Sequence, residues 1–96
     1  MISRSFFLLV YDVRNDRRRA KIARLMESLG ERVQGSVFEA YLTPEELQKI
    51  FIKSEKAMNL QEDSLRVYAL CETCRPRLKT LGQGALTPPP AAAIIL

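Results

Sequence analysis

The chain opens with a short apolar segment, residues 5–13, in which aromatic and branched side chains occupy both alternating faces. This pattern is typical of a central β-strand that is buried on both sides. One of the two faces ends in Asp12. We therefore predict that this acid lies where the strand leaves the core.

A helical pattern follows over residues 16–29. Apolar side chains recur there on a single face at spacings of three and four, namely at Ile22, Leu25, Met26 and Leu29. Asn15 or Asp16 is a suitable N-cap for this helix, and Gly30 suits the C′ position just beyond its end.

Residues 32–42 are again β-like, and Gly35 interrupts them as a bulge, a bend or a tight hairpin turn would. A second helix start follows, because Thr43 can cap, Pro44 suits the first helical position and Glu46 completes a capping box. The predicted inner face of this helix consists of Leu47, Ile50, Phe51 and Met58.

The last clear strand pattern is Ser64–Leu70, after an acidic loop. The resulting order, β-α-β-β-α-β, predicts an α+β ferredoxin-like sandwich with both helices on one face of the sheet. Residues 77–81 indicate an additional short C-terminal strand. We assign residues 1–82 to this domain and residues 83–96 to a C-terminal tail.

The sheet face away from the helices would remain apolar, because the first strand is apolar on both sides. A chain of 96 residues forms one domain and buries a limited share of its surface. A second copy of the chain is the simplest cover for this face, so we predict a homodimer.

The net charge is +4, and most of the basic character lies in residues 14–24. That segment has a single acid, Asp16, and its basic residues are Arg14, Arg17, Arg18, Arg19, Lys21 and Arg24. Arg17, Lys21 and Arg24 form a stripe along one helix face, which predicts contact with the phosphates of a nucleic acid. The alternative is an ordinary solvated helix face. No stretch approaches the roughly 18 apolar residues that span a bilayer, and no secretory leader is recognisable, so we expect a cytoplasmic protein without membrane contact.

Asp12 is a candidate for metal chemistry at the end of the first strand. One carboxylate is too little for a catalytic Mg²⁺ site, but a twofold axis would supply a second copy of it. The alternatives are that Asp12 caps the next helix or pairs with Arg18. Cys71 and Cys74 are half a zinc site in a chain without histidine, and we expect reduced thiols, with an intersubunit metal or a disulfide as alternatives.

Four ordered groups of residues point to one family. They are Tyr11-Asp12-Val13; Asp16-Arg17-Arg18-Arg19; Gly30-Glu31-Arg32-Val33-Gln34 with Ser36-Val37-Phe38-Glu39 and Leu42-Thr43; and Asp63-Ser64 with Arg66-Val67-Tyr68. Over roughly residues 5–82, the chain resembles the small CRISPR-associated adaptation endonuclease that partners the CRISPR integrase. Where that family often has a bulkier residue before the serine, this chain has Gly35.

The resemblance implies a ferredoxin-fold homodimer that serves spacer acquisition in antiviral defence. It implies a metal-dependent endonuclease acting on RNA or DNA, with Mg²⁺ or Mn²⁺ held by a catalytic Asp12, and with Tyr11, Arg32, Ser36 and Phe38 lining the site. It also implies a scaffold that binds double-stranded DNA or single-stranded RNA together with the integrase. A non-catalytic scaffold and a toxin-like ribonuclease of the same fold remain alternatives. We expect the apolar end of the tail, residues 94–96, to dock as an edge strand on the sister subunit or the integrase.

Overall fold

The computed structural model describes residues 4–71 together with Cys74, Arg77, Lys79 and Leu81. In chain order its elements are β1 (Ser5–Asp12), α1 (Asp16–Glu27), β2 (Glu31–Gln34), β3 (Val37–Leu42), α2 (Pro44–Ala57) and β4 (Ser64–Leu70). The four strands form one antiparallel sheet in the order β2-β3-β1-β4. The predicted α+β sandwich is confirmed. The predicted strand over residues 77–81 and the tail lie outside the described residues, apart from Arg77, Lys79 and Leu81.

β1 occupies the centre of the sheet because both of its faces are apolar. Leu9 lies opposite Phe38 of β3 and Val67 of β4, so these side chains point to the same face. That face packs against the helices, where Ile22 of α1 and Ile50 of α2 belong to the same buried cluster. Asp12 has the opposite parity in β1 and therefore lies on the face away from the helices. Within the described part of the chain, no helix is long and apolar enough to cross a membrane.

Both helix starts follow the predicted capping chemistry. The side chain of Asn15 accepts a hydrogen bond from the backbone N–H of Arg18 at 3.0 Å. In α2, Thr43 Oγ1 accepts from the N–H of Glu46, and Glu46 Oε1 accepts in return from the N–H of Thr43. Glu46 Oε1 also receives Arg4 Nη1 at 2.7 Å, which ties the beginning of β1 to the beginning of α2.

Gly30 does not occupy the predicted C′ position. α1 ends at Glu27 and Ser28 is its C-cap, so the glycine lies one position beyond the predicted one. Its backbone instead passes very close to β3, where an added Cβ would lie 2.6 Å from the carbonyl oxygen of Glu39. The missing side chain is therefore needed for this close approach between the two segments.

Gly35 lies in the two-residue turn of the β2–β3 hairpin, so the predicted hairpin turn is correct. A register shift between Arg32 and Gln34 also places a bulge at Val33, two residues before the glycine. An added Cβ at Gly35 would meet no atom within 4 Å. A bulkier residue therefore fits at this position without a steric conflict.

The inner face of α2 differs from the prediction at Phe51. This side chain is 45% exposed, and the residue that shares the buried line with Ile50 is Ser54, which is 1% exposed. Phe51 lies on the flank of the helix and lines a groove of about 300 Å³ beside β4, together with Met58 and Leu65. The prediction from apolar periodicity was wrong here because a serine, Ser54, occupies a core position four residues after Ile50.

Replacing Ser54 with alanine is expected to raise the free energy of unfolding by about 1 kcal/mol. The Ser54 hydroxyl is buried and has no hydrogen-bond partner among the described residues, and such a group costs about 1–3 kcal/mol of desolvation. Urea denaturation of both proteins measures the difference. Gln48→Ala, an exposed change in the same helix, reports the contribution of helix propensity alone. An unchanged or lower midpoint for Ser54→Ala would contradict the interpretation.

Candidate acidic site and nucleic-acid interface

Asp12 ends β1 on the sheet face away from the helices, opposite Ser64 of β4. Its side chain is exposed. Among the described residues, its carboxylate forms neither a hydrogen bond nor an ion pair. Asp12 therefore neither caps the next helix nor pairs with Arg18 in the structure, because Asn15 caps α1 and Arg18 pairs with Asp63.

The donor set of one chain fits only part of a metal site. Within the described ranges, no cluster of three or more histidine, cysteine or acidic side chains could hold an ion. Mg²⁺ is commonly bound through one or two carboxylates, with water and substrate phosphates completing its octahedron. Asp12 therefore suits such an ion as a single ligand, and further ligands must come from the substrate, from water or from another chain.

The sheet surface next to Asp12 is mainly apolar, although the strand register also places Glu39 of β3 and the exposed Arg66 of β4 on this face. Leu8, Val10 and Val37 are half-buried there, and Tyr68 of β4 is 48% exposed. Their register in β1, β3 and β4 places all four side chains on the same face as Asp12. The two-sided apolar pattern of β1 is thus retained in the structure, and no described element covers its second side.

The predicted basic stripe lies on the solvent side of α1. Arg17, Lys21 and Arg24 are all exposed, and none of them forms an ion pair within the described part of the chain. Arg24 Nε lies 3.5 Å from the carbonyl oxygen of Ala20, which is its only side-chain hydrogen bond among the described residues. These cations are available to anionic partners.

A second basic stripe on α2 was not predicted. Lys49, Lys53 and Lys56 recur at spacings of four and three, are all exposed, and form no ion pair within the described ranges. α1 and α2 pack against each other on the same side of the sheet. We call the exposed cations of both helices the helix-layer cations. The spacing in α2 was visible in the sequence, but the three lysines of that helix are balanced by three glutamates, which bring its net charge to zero.

The predicted nucleic-acid residue Arg18 is engaged in a structural contact. Its Nε donates to Asp63 Oδ2 at 2.8 Å, and its Nη2 lies 3.3 Å from Glu62 Oε1. Asp63, whose side chain is inaccessible to solvent, also accepts the backbone N–H groups of Asn59 and Arg14. The hydrogen bond from Arg18, reinforced by those backbone donors against the opposing effect of burial, lowers the pKa of Asp63 from 3.8 to about 2. The contact ties the start of α1 to the loop before β4.

This contact predicts a specific acid sensitivity. Because the folded-state pKa of Asp63 lies below its unfolded value, its contribution to stability is complete above about pH 4 and is lost as the pH falls towards 2. We expect wild-type stability to decrease more steeply over this interval than that of Asp63→Asn, which does not titrate. Urea midpoints measured between pH 2 and pH 7 test this. Equal slopes for the two proteins would contradict it.

Four residues predicted to line the site lie on the other side of the sheet from Asp12 or at its margin. The ring of Tyr11 stacks on Phe38 with centroids 6.1 Å apart, and the Arg32 guanidinium lies 5.2 Å from the centroid of the Phe38 ring. Tyr11 donates its hydroxyl to the carbonyl oxygen of Gly35, and its backbone N–H donates to that of Ser36. Burial is the main cause of the raised pKa of Tyr11.

These residues border an open cleft of about 530 Å³ between α1 and the β2–β3 hairpin. Its lining includes Tyr11, Arg32 and Ser36 together with Arg19. Arg19 donates to the carbonyl oxygen of Val13 at 2.8 Å and pairs with Asp16. The structure therefore separates two groups of candidate residues, because adjacent positions in β1 point to opposite faces.

Comparisons with known proteins agree with this fold. A model of the family described as CRISPR associated protein Cas2 matches residues 5–77. The CRISPR-associated endoribonuclease Cas2 2 of Synechocystis sp. is 43% identical over 91 residues, which are 94% of this chain and 98% of that protein. The crystal structure of Streptococcus pyogenes Cas2 superposes with a TM-score of 0.71 at 34% identity, covering 80% of this chain and 99% of that one. A chain of a partial Cas6-RT-Cas1–Cas2 complex gives a TM-score of 0.69 at 32% identity, covering 80% and 90%. This chain belongs to the Cas2 family of CRISPR-associated proteins.

Proposed function

We propose that this chain is the homodimeric Cas2 subunit of a CRISPR adaptation complex. In this role it binds duplex DNA together with a Cas1 integrase and cleaves RNA or DNA with the help of a divalent metal. Relatives named endoribonuclease and the similar chain in a Cas1–Cas2 complex support the proposal. The observation that carries it is Asp12, an exposed and unpaired carboxylate that ends the central strand on an apolar sheet face.

The homodimer is proposed to form through the sheet face away from the helices. Leu8, Val10, Val37 and Tyr68 leave apolar area exposed there, and burying such area is the main driving force for association. An isologous contact through this face places Asp12 of both copies at the same interface. Two carboxylates near one axis repel each other, so a bound cation would be favoured between them.

Asp12 would hold a Mg²⁺ or Mn²⁺ ion in this arrangement. The ion, when bound, supplies water activation and neutralises phosphate charge. The chain has no histidine, so no imidazole can act as general base. Arg14 is exposed two residues after Asp12, and its side chain has no ion pair among the described residues. We assign to Arg14 the contact with the scissile phosphate, because Arg18 and Arg19 are engaged elsewhere.

Nucleic acid is proposed to bind along the helix-layer cations. Exposed lysine and arginine side chains attract phosphates without reading sequence, and duplex binding should therefore be strongly salt-dependent. The cations of α1 remain the principal contacts in this proposal, and those of α2 extend the surface.

A non-catalytic scaffold is the second candidate. It is favoured by the single carboxylate and the missing histidine, since these leave little general acid–base chemistry to one chain. The two functions are separated by incubating the purified protein with RNA and with duplex DNA, in Mg²⁺, in Mn²⁺ and in EDTA. Metal-dependent cleavage supports the enzyme. Duplex and Cas1 binding without cleavage supports the scaffold. A protein that neither cleaves nucleic acid, nor binds duplex DNA, nor binds Cas1 would refute the proposed function.

The oligomeric state is the first property to measure. We expect light scattering at micromolar concentration to give twice the 10.9 kDa of one chain. Val10→Asp should yield the monomer mass, because it places a charge on the apolar sheet face. Ile52→Asp serves as the control, because it places the same charge on an exposed apolar position of α2, on the other side of the sheet. This variant should remain dimeric. A wild-type mass of 10.9 kDa would contradict the proposed dimer.

A further inference from the structure

Cys71 and Cys74 form a turn directly after β4. No disulfide joins them in the structure, and both residues are exposed. The backbone N–H of Cys74 donates to the carbonyl oxygen of Cys71 at 3.0 Å. A hydrogen bond between residues three apart closes a turn whose terminal Cα atoms lie within about 7 Å. A disulfide requires Cα atoms about 4.4–6.8 Å apart, so this turn holds the two cysteines in the range that a cross-link needs.

The turn also makes the two thiols unequal. The N–H of Cys74 lies 3.3 Å from Cys71 Sγ and donates to it, which favours the thiolate of Cys71. A side-chain hydrogen bond with Cys71, together with the negative charge of the Cys71 thiolate, raises the pKa of Cys74, so that thiol keeps its proton longer. Arg75, Arg77 and Lys79 follow in the sequence, so this segment carries positive charge that attracts anionic reagents.

We propose that Cys71 and Cys74 form a redox modification site that takes small anionic disulfides such as glutathione disulfide. The Cys71 thiolate attacks one sulfur of the reagent, whose S–S bond breaks and releases one glutathione thiolate. The thiol of Cys74 then loses its proton and attacks the Cys71 sulfur of the mixed disulfide. The second glutathione leaves as a thiolate, and the released proton passes to the solvent. The dithiol loses two electrons, and glutathione disulfide is reduced to two glutathione molecules.

The alternative ligand is a zinc ion, for which the chain offers only half a site. Structural zinc takes four ligands, and within the described ranges no third histidine, cysteine or acid joins a cluster with this pair. The thiol chemistry, by contrast, needs only the two side chains of one turn. It is independent of the proposed nuclease function, because neither Asp12 nor the helix-layer cations take part in it.

The experiment titrates the full chain with increasing ratios of oxidised to reduced glutathione in the presence of EDTA, followed by mass spectrometry of the acid-quenched protein. We expect wild type to lose two hydrogens and form the intramolecular disulfide. Cys74→Ser should instead accumulate one glutathione adduct on Cys71, and Cys71→Ser should react at least about tenfold more slowly. Both residues are exposed beyond β4, so these variants should retain the circular dichroism of wild type.

A second measurement needs no variant. Iodoacetamide alkylation of the reduced wild-type protein, mapped by peptide mass, should modify Cys71 before Cys74. Equal rates at the two cysteines, or a wild-type chain that keeps both thiols at the highest glutathione disulfide ratio, would overturn the proposal. Thiols that are protected by added zinc at stoichiometric concentration would overturn it in favour of a metal site shared between chains.

Discussion

Replacing Asp12 with asparagine is expected to reduce metal-dependent cleavage of RNA or DNA by at least about 100-fold. The carboxylate is the single acid that β1 presents on the sheet face away from the helices, and in the proposed function its loss removes the charge that would hold the cation. Removing one group that stabilises charge in a transition state commonly costs a factor of 10²–10³. The change is nearly isosteric and exposed, so fold and stability should be retained.

The matched control is Asp16→Asn, which removes an exposed acid at the start of α1. It should leave cleavage within about twofold of wild type, since Asp16 lies on the helix side of the sheet beside Arg19. Cleavage by Asp12→Asn at the wild-type rate would exclude Asp12 as the metal ligand. In cells, spacer acquisition that survives Asp12→Ala would establish a scaffold role that does not depend on catalysis.

Replacing Arg17, Lys21 and Arg24 together with alanine should weaken duplex binding by at least about tenfold in 50 mM salt. Each neutralised phosphate adds about 0.9 to the slope of log K against log salt, so this slope should become shallower by about 2 to 3. None of the three side chains has an ion-pair partner among the described residues, so the substitutions should not destabilise the fold. Fluorescence anisotropy with duplexes of unrelated sequence, at several salt concentrations, provides both values.

Two further variants sharpen this experiment. A double variant, Arg17→Lys with Arg24→Lys, keeps the charge and should keep the slope. Alanine at Lys49, Lys53 and Lys56 should also reduce the slope if the binding surface extends over α2, and an unchanged slope confines it to α1. If the α1 variant itself binds as tightly and with the same slope as wild type, that helix faces solvent and the proposed interface is wrong.

The elements were predictable where local chemistry determines them. The bounds of β4 and the capping box of α2 agree with the sequence-based prediction, because alternation and capping depend on neighbouring residues. The position of Phe51 was not predictable from helical periodicity. Its exposure depends on how the flank of α2 lies against β4, which is a tertiary relation. The predicted helix-capping role of Gly30 was wrong for the same reason, since this glycine is needed where its backbone lies close to β3.

In the candidate site, too, the features set by neighbouring residues were predictable and those set by tertiary contacts were not. The alternation of β1 correctly placed Asp12 at the end of a buried strand. The partner of Arg18 could not be inferred, because Asp63 lies 45 residues further along the chain and comes close only through the pairing of β1 with β4. Arg32 and Phe38 were placed in one site with Asp12 by resemblance, whereas the cross-strand register puts the pair on the opposite sheet face.

The strand order also has a consequence for synthesis of the protein on the ribosome. β1 is made first, yet one of its two neighbours in the sheet is β4, the last described strand. Until Ser64–Leu70 has emerged, a nascent chain carries the most apolar strand of the sheet with one edge unpaired. Unpaired strand edges recruit other chains, and pairings between distant segments form late in folding. Translation that stops after α2 should therefore yield an aggregating fragment, not a smaller folded domain.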